Sequence, residues 1–157
     1  MFVTELESAL DGTKIPANEL QTTHKDRPLW VRYDLEKVAA AVTKDDLLNR
    51  PADIWRWREL LPVPKKARII TLSERTTRLI KTESLQKQIG HKHIWIKDES
   101  TLPTGSFKSR GMAMAITMAA HFGVKRIALP TAGNAGGAAA AYAQQADIEC
   151  LVLMPED

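Results

Sequence analysis

From His93 onward the chain alternates short apolar runs, each bounded by turn residues, with longer runs of helical composition, and this limits the fold more than any other feature. The pattern predicts strands over 93–97, 126–129 and 149–154, with helices over 106–122 and 135–145 between them. Strands that alternate with helices form parallel sheets joined by crossovers, so the class is α/β. The last strand runs into Pro155-Glu156-Asp157, where another helix is expected, and the parallel sheet is therefore expected to be incomplete at its C-terminal side. Upstream, residues 34–87 read as mainly helical. Asp34 can cap a helix with Leu35, Val38 and Val42 on one face, and a second helix follows near Asp45. Trp55, Trp57, Leu60 and Leu61 are expected to pack that region onto the body, with Arg56 and Arg58 as a solvated face. Residues 1–33 read as a polar, turn-rich extension, which leaves 34–157 as one α/β unit, helical to 87 and β-α-β-α-β over 88–157.

Both strand-to-helix turns of this unit carry chemistry. The first contains Pro103-Thr104-Gly105-Ser106-Phe107-Lys108-Ser109-Arg110-Gly111. It puts Lys108 just inside a helix that is apolar on nearly every side, and such helices are usually buried. Ser106 is the expected N-cap. A lysine forms a Schiff base only as the free amine, and a partly buried helix start disfavours its charge. The plain alternative is a lysine that snorkels from a helix start. Arg110 is a second charge at the same buried end, and both charges need a reason.

The second turn is Pro130-Thr131-Ala132-Gly133-Asn134-Ala135-Gly136-Gly137, ahead of a helix of very small residues that can pack close to a sheet. Thr131, Gly133, Asn134 and the first helical amides face outward from the carboxyl end of a strand. Open α/β sheets bind ligands there, and a helix start favours an anion. Two nucleotide readings fail. No Lys-Ser/Thr follows the glycines, which excludes a P-loop, and Thr131 stands where the dinucleotide fingerprint needs glycine. A structural turn capped by Asn134 is the plain alternative.

The rest of the composition removes other classes. A net charge of +3, with scattered basic residues, gives no stripe for nucleic acid. Cys150 is the single cysteine among 157 residues, so no internal disulfide is expected and a reducing, cytoplasmic location is. The start, Met1-Phe2-Val3-Thr4-Glu5, does not read as a signal peptide, and no apolar run is long enough to span a membrane.

The segment Ile94-Trp95-Ile96-Lys97-Asp98-Glu99-Ser100-Thr101-Leu102-Pro103-Thr104-Gly105-Ser106-Phe107-Lys108-Ser109-Arg110-Gly111 resembles the lysine segment of threonine synthases, which are fold-type-II pyridoxal phosphate enzymes. Residues 130–138 are similar to the Asn-containing substrate loop of that family, and Val31–Glu36 and Trp55–Leu61 resemble its upstream sequence. The resemblance implies a tryptophan-synthase-β-like fold, pyridoxal 5'-phosphate as cofactor and conversion of O-phosphohomoserine and water to threonine and phosphate. Lys108 then holds the cofactor and relays protons, Asn134 hydrogen-bonds its phenolic oxygen and Phe107 packs near its ring. Thr131, Ala132 and Gly133 present polar groups to the substrate carboxylate. A homodimer is implied for the full-length protein. A threonine or serine dehydratase is the neighbouring reading, and a truncated chain without catalysis is the third.

Departures from the family pattern carry their own expectations. The glycine-rich phosphate cup lies further on in the family than residue 157, so this chain alone is expected to be inactive and marginally folded. Ser109 stands where Asp or Ala is common. Arg75-Thr76-Thr77-Arg78-Leu79 replaces a Gly-x-Thr-Pro-Leu turn, with Arg78 in the place of the proline. Many relatives begin with a four-cysteine metal knuckle. Here Ser8, Asp11, His24 and Asp26 occupy the comparable stretch, and without a thiolate no metal is expected, with His24 a plain surface residue.

Overall fold

A computed structural model describes residues 2–156. It contains seven strands, β1 (Val3–Ser8), β2 (Lys14–Ile15), β3 (Leu29–Tyr33), β4 (Leu79–Lys81), β5 (Trp95–Lys97), β6 (Arg126–Pro130) and β7 (Glu149–Leu153). The helices are α1 (Leu35–Ala41), α2 (Lys44–Leu48), α3 (Glu83–Ile89), α4 (Lys108–His121) and α5 (Asn134–Gln145), with 3₁₀ segments at Ile54–Leu60 and Glu99–Thr101. The mixed α/β class follows directly.

The first 33 residues hold more regular structure than their polarity suggests. β1 lies between β2 and β3 in an antiparallel sheet. Its charged residues are paired across the sheet: Arg32 grips Glu7 with two bonds of 2.7 Å, and Lys14 reaches Glu5 at 2.7 Å. Cross-strand pairs of this kind add to the apolar pairs of the same sheet, such as Leu6 opposite Val31 and Val3 opposite Tyr33. His24 is not a plain surface residue. It is half-buried in a tight turn to Arg27, and its Nε2 lies 3.6 Å from Asp11. Among the described residues no group of three or more His, Cys, Asp or Glu side chains could hold a metal ion.

The expected helical region over 34–87 is only partly helical. Asp34 caps α1 by accepting from the Lys37 amide, and Thr43 and Asp46 form a capping box on α2. The 3₁₀ segment Ile54–Leu60 kinks at Trp57. Trp55 packs toward the core, whereas Trp57 and Leu60 stay exposed. Arg56 is not simply solvated either: it is half-buried and donates to the Leu47 carbonyl at 2.5 Å, while Arg50 pairs with Glu59 at 2.6 Å. From Leu61 to Arg78 the chain has no helix or named strand.

The parallel sheet is smaller than the alternation predicts. β6 and β7 pair in parallel, with Ile127 opposite Cys150 and Leu129 opposite Val152, and α5 makes the crossover. β5 does not join them. It pairs antiparallel with β4, Ile80 opposite Ile96. A three-residue apolar run cannot itself specify its partner, and the neighbouring run at Leu79–Lys81 was the nearer one in sequence.

The core sits between α4, α5 and one face of β6 and β7. Ile70, Ala113, Ile116, Tyr142, Ala143 and Ile148 form its centre. α4 is not buried all round: Ser109, Ala113, Ile116 and Thr117 form the buried stripe, while Gly111 and Ala115 are exposed. Thr117 replaces a backbone partner for the extended segment before it, accepting from the Ile70 amide at 3.0 Å. α5 buries Gly136, Ala138, Ala139, Tyr142 and Ala143. Its small residues let the helix backbone approach the strands, most tightly at Gly136, where an added Cβ would lie 2.5 Å from Thr131 Cγ2 and 2.7 Å from Val152 Cγ1. Among the described residues no helix is long and apolar enough to cross a membrane.

Candidate active site

α5 follows β6 and so begins at the carboxyl edge of the β6–β7 pair, while α4, which packs on α5, leads through a short turn into the other end of β6. Lys108 is the first residue of α4 and Asn134 the first of α5. The sequence-predicted site residues therefore occupy the starts of two packed helices, the first turn of α4 facing the third turn of α5 through Ser109 and Tyr142.

The α4 start differs from the expected N-cap. Regular helix begins at Lys108, and Phe107 in the preceding position has no capping side chain. Ser106 and Phe107 carbonyls instead accept from the Ser109 and Arg110 amides at 3.3 and 3.2 Å, a tight i to i+3 turn that leads into the helix. Ser106 Oγ still accepts a long bond of 3.4 Å from the Lys108 amide. Gly105, at φ +68°, turns the chain into this geometry, where a side chain would be strained. Lys108 is half-buried, and its Nζ sits 4.1 Å from the centre of the Phe107 ring, itself well exposed. The ring face holds the cation by its quadrupole.

Arg110 has the partner that its buried position demands. Its Nε and terminal nitrogen grip Glu99 at 2.6 and 3.0 Å, and the same nitrogen reaches Thr77 Oγ1 at 3.4 Å. Thr77, which is buried, donates to the same Glu99 carboxylate. Glu99 belongs to the Lys-Asp-Glu string ahead of the lysine turn, and Thr77 to the Arg75–Leu79 stretch. Arg78 is exposed and lies 3.6 Å from Asp98. The Arg110 guanidinium holds the Glu99 carboxyl down at about 2, against an opposing push from desolvation and with further help from Thr77.

Because folding depresses this carboxyl below its ordinary 4.5, the pair's contribution is complete above that value and is lost as the pH falls toward 2. With both side chains partly exposed, we expect it to be about 2 kcal/mol. Denaturant unfolding of Glu99→Gln should then lose less stability than the parent on acidification from roughly pH 6 to pH 3, the remaining loss coming from other carboxyls held down by partners, such as Glu7 beside Arg32 and Glu59 beside Arg50. Equal acid sensitivity in both chains would show the pair to be energetically silent.

At the second turn, Thr131 continues the parallel ladder by donating its amide to the Leu153 carbonyl at 2.9 Å. Its Oγ1 accepts from the Gly133 and Gly136 amides at 3.1 and 3.2 Å. The Gly133 amide is therefore engaged within the turn, whereas the Thr131 hydroxyl hydrogen remains available to an outside acceptor. Gly133 takes φ 149°, ψ −90°, a conformation that requires glycine. Asn134 and Ala132 are exposed. The space where Cβ atoms would stand on Gly133 and Gly137 has no atom within 4 Å. A concavity of about 690 Å³ lies elsewhere, against Arg50, Trp55, Arg56 and Lys65, and includes none of these site residues.

This arrangement fits the ring end of a pyridoxal-type cofactor. It offers a reachable lysine amine with an exposed aromatic ring beside it. It also offers a small-residue turn with open space, and helix-start amides suited to anionic oxygen. Sequence reasoning found these groups but missed Glu99 as the partner of Arg110, and missed Glu74 and Tyr142 beneath the turn.

Residues 70–157 match the family described as pyridoxal-phosphate dependent enzymes. The threonine synthase of Methanocaldococcus jannaschii is 37% identical over 128 residues, which cover 82% of this chain and 32% of that protein. The threonine synthase of Halalkalibacterium halodurans is 43% identical over 100 residues, covering 64% of this chain and 28% of the relative. That of Mycobacterium bovis is 43% identical over 106 residues, 68% of this chain and 29% of the relative. The chain thus spans about a third of the length of the curated relatives it matches.

Proposed function

We propose that this chain, which belongs to the pyridoxal-phosphate dependent enzyme family, is part of a threonine synthase and carries its cofactor lysine. The observation that supports this most is the similarity to threonine synthases, in a chain that carries Lys108 and Asn134 as the first residues of two packed helices. On this reading the fold is type II, like the tryptophan synthase β subunit, and β6 and β7 belong to its parallel sheet.

The bound cofactor supplies an electron sink for carbanions at the substrate carbons. Everything else falls to the protein. Lys108 would hold the cofactor through its side-chain amine, and that amine, when free, would carry protons at the α and β carbons of the substrate. Phe107, already against Lys108 Nζ, flanks the ring. Asn134 donates from its side-chain amide to the phenolic oxygen. The Thr131 hydroxyl, which already accepts two backbone amides, has its hydrogen left for the substrate carboxylate. Phosphate leaves the γ carbon of O-phosphohomoserine, a proton takes its place there, and the hydroxyl of water bonds to the β carbon, which has given up a proton.

The test uses chemical trapping. Pyridoxal phosphate followed by borohydride should fix the cofactor on Lys108, as read by peptide mass mapping. O-phosphohomoserine added first should protect Lys108 by displacing it, and should do so at lower concentration than serine or threonine. Protection by serine or threonine in preference would turn the reading toward a dehydratase, and fixation spread over many lysines would sink it.

A further inference from the structure

Beneath the lysine turn lies a polar cluster to which the reading above gives no task. Glu74, Tyr142 and Ser109 are all fully buried. The Tyr142 hydroxyl donates to Glu74 Oε1, which also accepts the Leu72 amide at 2.8 Å. Glu74 Oε2 accepts the Thr71 hydroxyl at 2.7 Å. Ser109 Oγ shares a hydrogen with Thr104 Oγ1 at 2.7 Å and accepts the Thr104 amide at 3.3 Å, and it also faces the Tyr142 phenol.

Three segments meet here: the irregular stretch 70–77, the first turn of α4 and the third turn of α5. A carboxylate taken fully out of water without a directly paired cation is costly, and an apolar side chain of similar size commonly serves stability as well or better. Glu74 has no ion-pair partner within 4 Å among the described residues; Arg110 attracts it from further away. What the carboxylate does that an apolar group cannot is fix direction. It orients the Tyr142 hydroxyl, and so locks α5, which carries Asn134, to the stretch 70–77. The same stretch holds Arg110 through Thr77, and Arg110 and Ser109 are the two residues that follow Lys108. Burial and the Glu74 carboxylate both push the Tyr142 phenol up, so it remains a donor across the working pH range.

We propose that Glu74, Tyr142 and Ser109 form a positioning network that fixes the lysine-bearing start of α4 relative to α5, the helix that carries Asn134. None of the three touches the reacting atoms. The proposal rests on Lys108 being the cofactor lysine, as argued above.

The experiment compares the parent chain with Tyr142→Phe, which keeps the ring and removes only the hydroxyl, and with Glu74→Gln, whose amide oxygen can still accept from Tyr142. Two readouts are taken besides thermal stability. One is the circular dichroism of the visible band of bound pyridoxal phosphate, which reports a fixed orientation, measured beside the amount trapped on Lys108 by borohydride. The other is amide hydrogen exchange at residues 108–111 without cofactor. For Tyr142→Phe, trapping should stay within about twofold while the dichroism per trapped cofactor falls, and exchange should quicken by roughly tenfold, the effect of one lost hydrogen bond to a charged group. Glu74→Gln should keep most of the dichroism. Parent-like dichroism and exchange in Tyr142→Phe would overturn the network. So would equal losses in both variants that track their melting temperatures, because a bulk packing role predicts that. A parent chain that traps no cofactor on Lys108 overturns the function proposed above and this proposal with it, and is distinguished by failing before any substitution is made.

Discussion

Lys108→Ala is expected to abolish borohydride-stable attachment of pyridoxal phosphate at this turn while leaving the fold intact. The two halves of that result have separate causes. Attachment needs a nucleophilic amine at the start of α4, and alanine offers none. The fold loses little, because Lys108 is only half-buried and its amine lies over the ring of its chain neighbour Phe107. A cation over an exposed ring contributes about 0.5–1 kcal/mol. Alanine recovers part of that through its higher helix propensity. The melting temperature should therefore move by no more than a few degrees, on the order of 2–4 °C per kcal/mol for a chain this size. Lys108→Arg sharpens the test. Arginine keeps the charge over Phe107 and the helix start, yet its guanidinium does not form the attachment. It should behave as alanine does in trapping and as the parent does in stability. In a catalytically complete enzyme the loss of a nucleophile and proton carrier together is on the order of 10³-fold or more in turnover. Retained trapping in Lys108→Ala, at a neighbouring lysine, would remove Lys108 from the site.

The lysine turn was readable in the sequence because chemistry and local structure agree there. Gly105 bends the chain, an apolar helix follows, and a lysine at its start stands out as a charge without an apolar excuse. Arg110 stood out for the same reason, and its partner was already in view: Glu99 is in the string that leads into the turn. What the sequence could not supply was distance. Glu99 and Arg110 are close in the chain, but Thr77, which joins them, is not, and nothing in the pattern of Arg75–Leu79 announces a buried hydroxyl. Tyr142 gave a faint signal as the one polar aromatic in an alanine-rich helix, whereas Glu74 looked like any loop acid.

Sheet membership was the larger gap. β1 to β3 were hidden because no clean alternation marks them: Glu5 and Glu7 interrupt β1, while Leu29, Trp30, Val31 and Tyr33 make β3 nearly all apolar. β5 was visible as a strand but not as the antiparallel partner of β4, since a three-residue run carries no mark of its neighbour. β6 and β7 read correctly as parallel because a helix of fixed length connects them, and a short parallel crossover admits few alternatives.

Gly136→Ala should destabilise the chain by about 2 kcal/mol, although the substitution replaces a poor helix former with the best one. On propensity alone alanine would stabilise α5 by roughly 1 kcal/mol. Contact decides otherwise. The new Cβ would stand 2.5 Å from Thr131 Cγ2 and 2.7 Å from Val152 Cγ1, and real Cβ atoms do not approach that closely. Neither neighbour can swing aside cheaply. Both side chains are β-branched and stiff at χ1. Thr131 is further held by its two accepted amides and by its own bond to Leu153. Relief must come from moving α5 off β6 and β7, which loosens the packing of Ala139 and Ala143 as well. The same movement shifts the Thr131–Asn134 turn, so weakened substrate protection at Lys108 should accompany the lower stability. Thr131→Ser removes the closer methyl but keeps the hydroxyl, and Val152→Ala removes the other. Adding both to Gly136→Ala should recover much of the stability that the single change loses, beyond the sum of the separate effects. Gly136→Ala that melts at or above the parent temperature would mean the helix already sits further from the strands than 2.5 Å allows.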